Sequence, residues 1–248
     1  GTDGAVGAIA RSGNTIYGGG LFTGVGPSTG GGVPLDRRTG APVSAFPRVS
    51  GVVDVVMSDG NGGWYLGGSF VAVGGQARSN LAHILADGRV AEWSPNPDGK
   101  VLALAKNGET IYVGGFFSQV GGESRSFIAA VHGGTGEATP WAPTANLQVR
   151  SLLVHQGRLY VGGDFTAIGG QARMCAAELD LLSGQATAWD PNVGFSGTPG
   201  SVRALAASGD TIFIGGDFGT VGTAQRHHLA AVNSTTGSAT AWNPGVTG

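Results

Sequence analysis

The chain has 248 residues, of which 12% are charged and 48 are glycine, and its formal net charge is −2. So small a charge gives no long-range field to draw phosphate backbones or anionic lipid, which excludes nucleic acid and membrane surfaces as expected partners. The 41% of apolar residues fall in short regular runs that disordered chains lack, so the glycine excess reads as frequent turns and close backbone packing. No apolar stretch approaches the roughly 20 residues that cross a bilayer, and the opening GTDGAVGAIA lacks a basic segment followed by an apolar run. A soluble chain is expected, with any secretion signal already removed. The one cysteine, Cys175, cannot form an internal disulfide and leaves the redox compartment open.

In chain order, Gly-Gly-x-Phe appears at Gly19-Gly20-Leu21-Phe22, Gly67-Gly68-Ser69-Phe70, Gly114-Gly115-Phe116-Phe117, Gly162-Gly163-Asp164-Phe165 and Gly215-Gly216-Asp217-Phe218. The phenylalanines lie 48, 47, 48 and 53 residues apart. A second anchor, an aromatic near a proline, recurs at Phe46-Pro47, Trp93-x-Pro95, Trp141-x-Pro143, Trp189-x-Pro191 and Trp242-x-Pro244, with spacings of 47, 48, 48 and 53. Two anchors with the same five-residue excess mark five copies of one repeat, with an insertion around Gly194 to Gly200. Arg78, Arg125, Arg173 and Arg226 follow the phenylalanine by eight residues in four copies; the first copy carries PSTGGG there instead.

Four short strands are predicted in each copy, most clearly in the fifth: Ser201 to Ala207, Thr211 to Phe218, His228 to Asn233 and Ala239 to Asn243. No segment shows a helical period. A four-stranded meander cannot bury both faces alone, so copies must stack, and period and strand count favour radial stacking over a solenoid. The expected fold is an all-β, five-bladed propeller forming a single domain over 1–248, with blades at about 1–50, 51–98, 99–147, 148–200 and 201–248. The repeated glycines allow backbones to converge near the axis. Phe22, Phe70, Phe117, Phe165 and Phe218, with Trp93, Trp141, Trp189 and Trp242, read as inter-blade core. The four repeated arginines read as ties between blades through carbonyls or carboxylates.

The stretches GETIYVGGFFSQVGGESR (108–125) and GRLYVGGDFTAIGGQAR (157–173) resemble the delta-60 repeat β-propeller family, and the resemblance covers all five copies. It is weakest in the first, where Phe46 replaces tryptophan and the arginine is missing. What it implies is an extracellular or cell-surface module of a large bacterial protein, with no shared catalytic motif. A bacterial origin also fits the use of only Lys100 and Lys106 against twelve arginines.

The residues offer little chemistry. Glycine pairs such as Gly74-Gly75 lack the strand-to-helix context of a phosphate loop. The histidines fall at non-equivalent positions, and His227-His228 would point to opposite faces of a strand. Asp59-Gly60-Asn61-Gly62 and Asn96-Pro97-Asp98-Gly99 read as turns, without the clustered oxygens that calcium needs. No metal and no cofactor are expected, and Cys175 reads as a buried, inert thiol in a strand.

Two candidate surfaces remain. The position early in the first strand of each copy reads Gly7, Asp54, Leu102, Arg150 and Arg203, so Asp54, Arg150 and Arg203 are candidates to ring one opening, with solvated strand ends as the simpler reading. Ser69, Asp164 and Asp217, just before the core phenylalanine, together with Gln76, Glu123 and Gln171 in the next loop, are candidates for repeated weak sites. The expected function is a non-catalytic, secreted or surface-displayed module that binds a protein or glycan through loops at one propeller end. One alternative is a structural subunit whose open edges pair with a larger chain or with itself. Another is a glycoside hydrolase with carboxylates at the mouth.

Overall fold

The computed structural model describes residues 2–25, 30–43 and 46–245, and among them there is no helix. In the first copy, β1 (Ala5–Ser12), β2 (Thr15–Leu21) and β3 (Gly32–Asp36) form an antiparallel meander. The second copy has β4 (Val49–Ser58), β5 (Trp64–Val73), the short β6 (Gln76–Ala77) and β7 (Leu81–Ile84), with β5 central. The third repeats this with β8 (Lys100–Asn107), β9 (Thr110–Phe116) and β12 (Ile128–His132); its loop carries a two-strand ribbon of β10 (Gln119–Val120) and β11 (Glu123–Ser124). The fourth has β13 (Val149–His155), β14 (Arg158–Gly163) and β17 (Ala176–Leu179), with the ribbon β15 (Ala167–Ile168) and β16 (Gln171–Ala172).

In the fifth copy the five-residue insertion folds into a hairpin of β18 (Val193–Phe195) and β19 (Thr198–Pro199). The main sheet follows as β20 (Ser201–Ser208), β21 (Thr211–Asp217) and β24 (Leu229–Asn233). The ribbon β22 (Thr220–Val221) and β23 (Ala224–Gln225) lies between them, and β22 pairs with β18. The hairpins close as their turn residues dictate. His155 pairs with Arg158 across Gln156 (φ 49) and Gly157 (φ 73), the two left-handed residues that a tight turn matched to strand twist requires.

The expected fourth strand is a correction. Among the described residues it shrinks in each copy to one bridge: Leu35 with Pro42, Ile84 with Val90, Val131 with Ala138, Leu179 with Ala186 and Val232 with Ala239. The aromatic-proline segment follows at once, and proline cannot donate to a ladder, so pairing stops there. His227 and His228 precede β24 instead of lying in it, and His228 adopts φ 60. Cys175 likewise sits just before β17 at φ 63.

The chain divides into two compact units. One holds residues 1–104, 117–124 and 131–138, and its core gathers Tyr17, Val53, Trp64, Leu66, Phe70 and Ile84. The other holds residues 105–116, 125–130 and 139–248, and its cores gather Trp141, Val149, Phe165 and Ile168, then Tyr160, Trp189, Val202 and Phe218.

Candidate functional site

All five repeated phenylalanines are buried. Three tryptophans do more than fill space. The indole of Trp93 donates to the His132 carbonyl at 2.9 Å, Trp141 to Asp180 at 3.0 Å and Trp189 to Asn233 at 3.0 Å, each reaching the following copy. Trp242 departs from the expectation of core. It is 43% exposed and its indole N–H has no acceptor among the described residues.

The arginines are also a correction. Arg78, Arg173 and Arg226 donate through Nη2 to Ala91, Thr187 and Thr240 carbonyls at 2.6, 2.5 and 2.7 Å, and Arg125 reaches Thr139 at 3.4 Å. These carbonyls lie in the same copy, beside the single outer bridge. Each arginine therefore fastens its own outer edge, where lost strand pairing would leave carbonyls unpaired.

The position read across copies as Gly7, Asp54, Arg150 and Arg203 is a β-bulge, with register shifts at Val6/Ala8, Val53/Val55, Val149/Ser151 and Val202/Ala204. A bulge turns one extra side chain off the ladder, which is why chemistry varies there while the preceding valine and the glycines facing it on the next strand do not. Asp54 pairs with Lys100 at 2.9 Å. Arg150 grips Asp164 through Nε and Nη2, both at 2.7 Å. Arg203 is exposed and has no partner among the described residues.

Asp164 is the centre of a built polar cluster, since Gln148 Nε2 donates to it at 2.5 Å and Ser201 Oγ at 2.6 Å. Burial pushes its carboxyl up, but the hydrogen bonds from Arg150, Ser201 and Gln148 outweigh this and hold it down to about 2. Ser201 comes from the next copy, so this cluster also binds two copies together. Asp217 occupies the same repeat position yet is exposed, 3.8 Å from His228 Nδ1, and Ser69 is exposed too. Gln76, Glu123 and Gln171 are exposed on the short ribbons.

One repeated device escaped the sequence. Asp98 accepts from Ser118 N and Oγ and from Gln119 N, at 2.8, 2.5 and 2.9 Å. Asn146 accepts from Thr166 N and Ala167 N through Oδ1 and donates through Nδ2 to Thr166 Oγ1, and Asp3 accepts from Thr23 N and Oγ1 and from Gly24 N. The signal was present as Asp or Asn twenty residues before a Ser or Thr that follows the core phenylalanine, but it changes residue type between copies. Cys175 is fully buried, and burial pushes its thiol up to about 11, so it carries no nucleophile at neutral pH. Among the described residues no three of His, Cys, Asp and Glu gather to hold a metal ion.

A cleft of about 400 Å³ opens in the first unit. Leu21, Phe22, Val49 and Val52 line it with the bare backbones of Gly30, Gly31 and Gly51, while Asp3 and Arg48 stand at its rim. Asp3 is engaged by Thr23 and Gly24, which leaves Arg48 as the charged group able to meet a ligand. Leu21, at the variable position of Gly-Gly-x-Phe, is 67% exposed at the cleft edge.

No protein-family profile matches the chain, and no curated protein matches it in sequence. Solved structures do. The WD40 domain of Neurospora crassa Pan2 superposes with a TM-score of 0.63 at 16% identity, over 96% of this chain and 65% of that one. The computationally designed Ika8 protein gives 0.60 at 16% identity, over 95% and 60%. YCF48 bound to D1 peptide gives 0.54 at 14% identity, over 93% and 64%. The chain thus spans about two thirds or less of the length of these structures, and what it shares with them is the fold: an all-β repeat protein of the β-propeller type.

Proposed function

We propose that this chain is a non-catalytic interaction module, a five-bladed propeller displayed outside the cell or on its surface, that receives a protein segment in the Leu21–Val52 cleft. The observation that carries this reading is the cleft itself. It combines an apolar wall, a floor of glycine backbone of which Gly51 is exposed, and the single cation Arg48, the composition that suits an extended peptide with an apolar anchor and an acidic neighbour. A peptide is bound by one protein of the same fold, YCF48, which supports the class of partner. The resemblance to delta-60 repeats supports the extracellular placement. The paired and ionised state of Asp164 supports a binding role over a hydrolytic one, since a glycosidase general acid needs its pKa raised.

The test is selection from a displayed peptide library on the wild-type chain, with Leu21→Asp and Arg48→Glu as counter-screens and a glycan array run beside it. Both residues are exposed, so both variants keep the fold. Enriched peptides that bind each variant about tenfold or more weakly support the reading. Glycan binding with no peptide enrichment replaces it with a lectin-like function, and peptides indifferent to both substitutions move the site elsewhere.

A further inference from the structure

In the first four copies the ring before the proline packs edge-on against the tyrosine two residues before Gly-Gly. Ring centroids lie 5.2 Å apart for Tyr17 and Phe46, 5.2 Å for Tyr65 and Trp93, 5.0 Å for Tyr112 and Trp141, and 5.1 Å for Tyr160 and Trp189. The three tryptophans also donate across the junction, to the carbonyls of His132, Asp180 and Asn233. These acceptors share one address. Each follows the strand residue of the outer bridge, Val131, Leu179 or Val232, and each also accepts from a turn glycine four residues on, at 2.8, 2.9 and 2.9 Å. Between the first and second copies that address is Leu85, which follows Ile84 of the Ile84–Val90 bridge and accepts from Gly88 N at 2.9 Å. The ring on this junction is Phe46, which has no N–H to donate.

A second donor is diverted here as well. The Tyr160 hydroxyl crosses to the Ser234 carbonyl at 2.9 Å, one residue beyond Asn233. The Tyr17 hydroxyl lies instead against Gly32, where a Cβ would collide with it, and although Tyr17 is fully buried this hydroxyl has no partner among the described residues. A pocket of about 180 Å³ opens at the same junction. Pro34, Val43, Phe46 and Trp64 give it apolar walls, and the turn from Leu85 to Gly88 forms another side. It lies within residues 1–104 of the first unit and shares no lining residue with the Leu21–Val52 cleft. An apolar cavity of roughly 150 Å³ admits a benzene ring, so this volume suits one small planar ring system. The turn carbonyl selects, among such rings, one that carries a hydrogen-bond donor.

We propose that this pocket is a binding site for an indole ring, which lies beside Phe46 and donates its N–H to the Leu85 carbonyl. It is the group that the later junctions supply from their own chain at the same address. The ring packs against Trp64 and Pro34 and fastens the first copy to the second, as Trp93, Trp141 and Trp189 fasten the copies that follow. The same chemistry reaches the site from two sources, a free indole-type compound or the tryptophan side chain of a partner. The site does not depend on the Leu21–Val52 cleft, so either reading can fail without the other.

The test is an amide NMR titration of the intact chain with indole, with N-methylindole, which keeps the ring and loses the donor, and with N-acetyltryptophan amide. Each is run on the wild type and on Phe46→Trp. The other four copies carry tryptophan at this position, so the variant keeps the fold and brings its own indole to the junction. Indole should shift the Leu85 and Gly88 amides saturably, and N-methylindole should bind about fivefold or more weakly. Phe46→Trp should abolish the response and raise the melting temperature by about 2–4 °C, the shift that one added hydrogen bond brings in a chain of this size. Capped tryptophan that binds as tightly as indole supports the proposal with a partner's side chain as the source, and binding of indole alone supports it with a free compound. No saturable shift at these amides, equal binding of N-methylindole, or a Phe46→Trp chain that binds indole like the wild type overturns it.

Discussion

Gly162 and Gly215 occupy the same repeat position and have opposite surroundings, so one substitution made at both separates the stacking account from a local explanation. At Gly162 an alanine Cβ would press on Ser151 Oγ and on the Val202 side chain of the following copy. Overpacking of this kind costs about 1–3 kcal/mol, offset by the ~0.4–1 kcal/mol that alanine gains by restricting the unfolded chain. The net loss for Gly162→Ala is about 1–2 kcal/mol, or roughly 2–8 °C in melting temperature for a chain of this size. At Gly215 the nearest atom stands 3.7 Å away, so only the unfolded-state term remains, and Gly215→Ala is neutral or raises stability by up to ~1 kcal/mol. Dilute thermal and urea melts followed by tryptophan fluorescence read both. Equal destabilisation at the two sites would refute the reasoning, because the glycine would then serve its own sheet and not the neighbour's valine.

Three further outcomes follow from the polar chemistry. Asp164 is held down from its ordinary 3.8 to about 2, so its pairing contributes stability fully above pH ~4 and loses it as pH falls through about 2; at ~1.4 kcal/mol per unit this is about 2 kcal/mol. Wild type minus Asp164→Asn, measured by urea titration, should be largest at neutral pH and vanish near pH 2, and a gap constant with pH would contradict the ionised cluster. Asn146→Ala removes three hydrogen bonds at an exposed site and should cost about 1–2 kcal/mol, with hydrogen exchange accelerated at the Thr166 and Ala167 amides and unchanged at Ser118. The Cys175 thiol should react with a thiol reagent only on unfolding, and rapid labelling of the native chain would show that its site opens.

The repeat, its period and its core phenylalanines were legible because Gly-Gly-x-Phe recurs in every copy and the aromatic-proline anchor drifts with it. The insertion before the fifth copy was legible from two anchors drifting together, and it is a hairpin. What escaped depends on backbone partners or on register. The acceptors of Trp93, Trp141 and Trp189 are carbonyls, which any residue supplies, so the sequence pattern does not mark them. The arginines looked alike in sequence and do act alike, but on carbonyls of their own copy, because the outer strand they border is reduced to one bridge. Asp54 and Arg150 were picked out for varying where the scaffold repeats; the bulge explains the variation, and the partners Lys100 and Asp164 follow from three-dimensional register alone. The Asp3, Asp98 and Asn146 caps stayed hidden because two side chains share one geometry. Trp242 carries the repeated motif and yet stands 43% exposed, a difference in surroundings that the motif does not mark.

Hydrogen exchange at the tryptophan indoles tests the central account most directly. Trp93, Trp141 and Trp189 should be strongly protected, since each indole donates to a carbonyl of the next copy. Fast exchange at any of the three in the folded chain would contradict it.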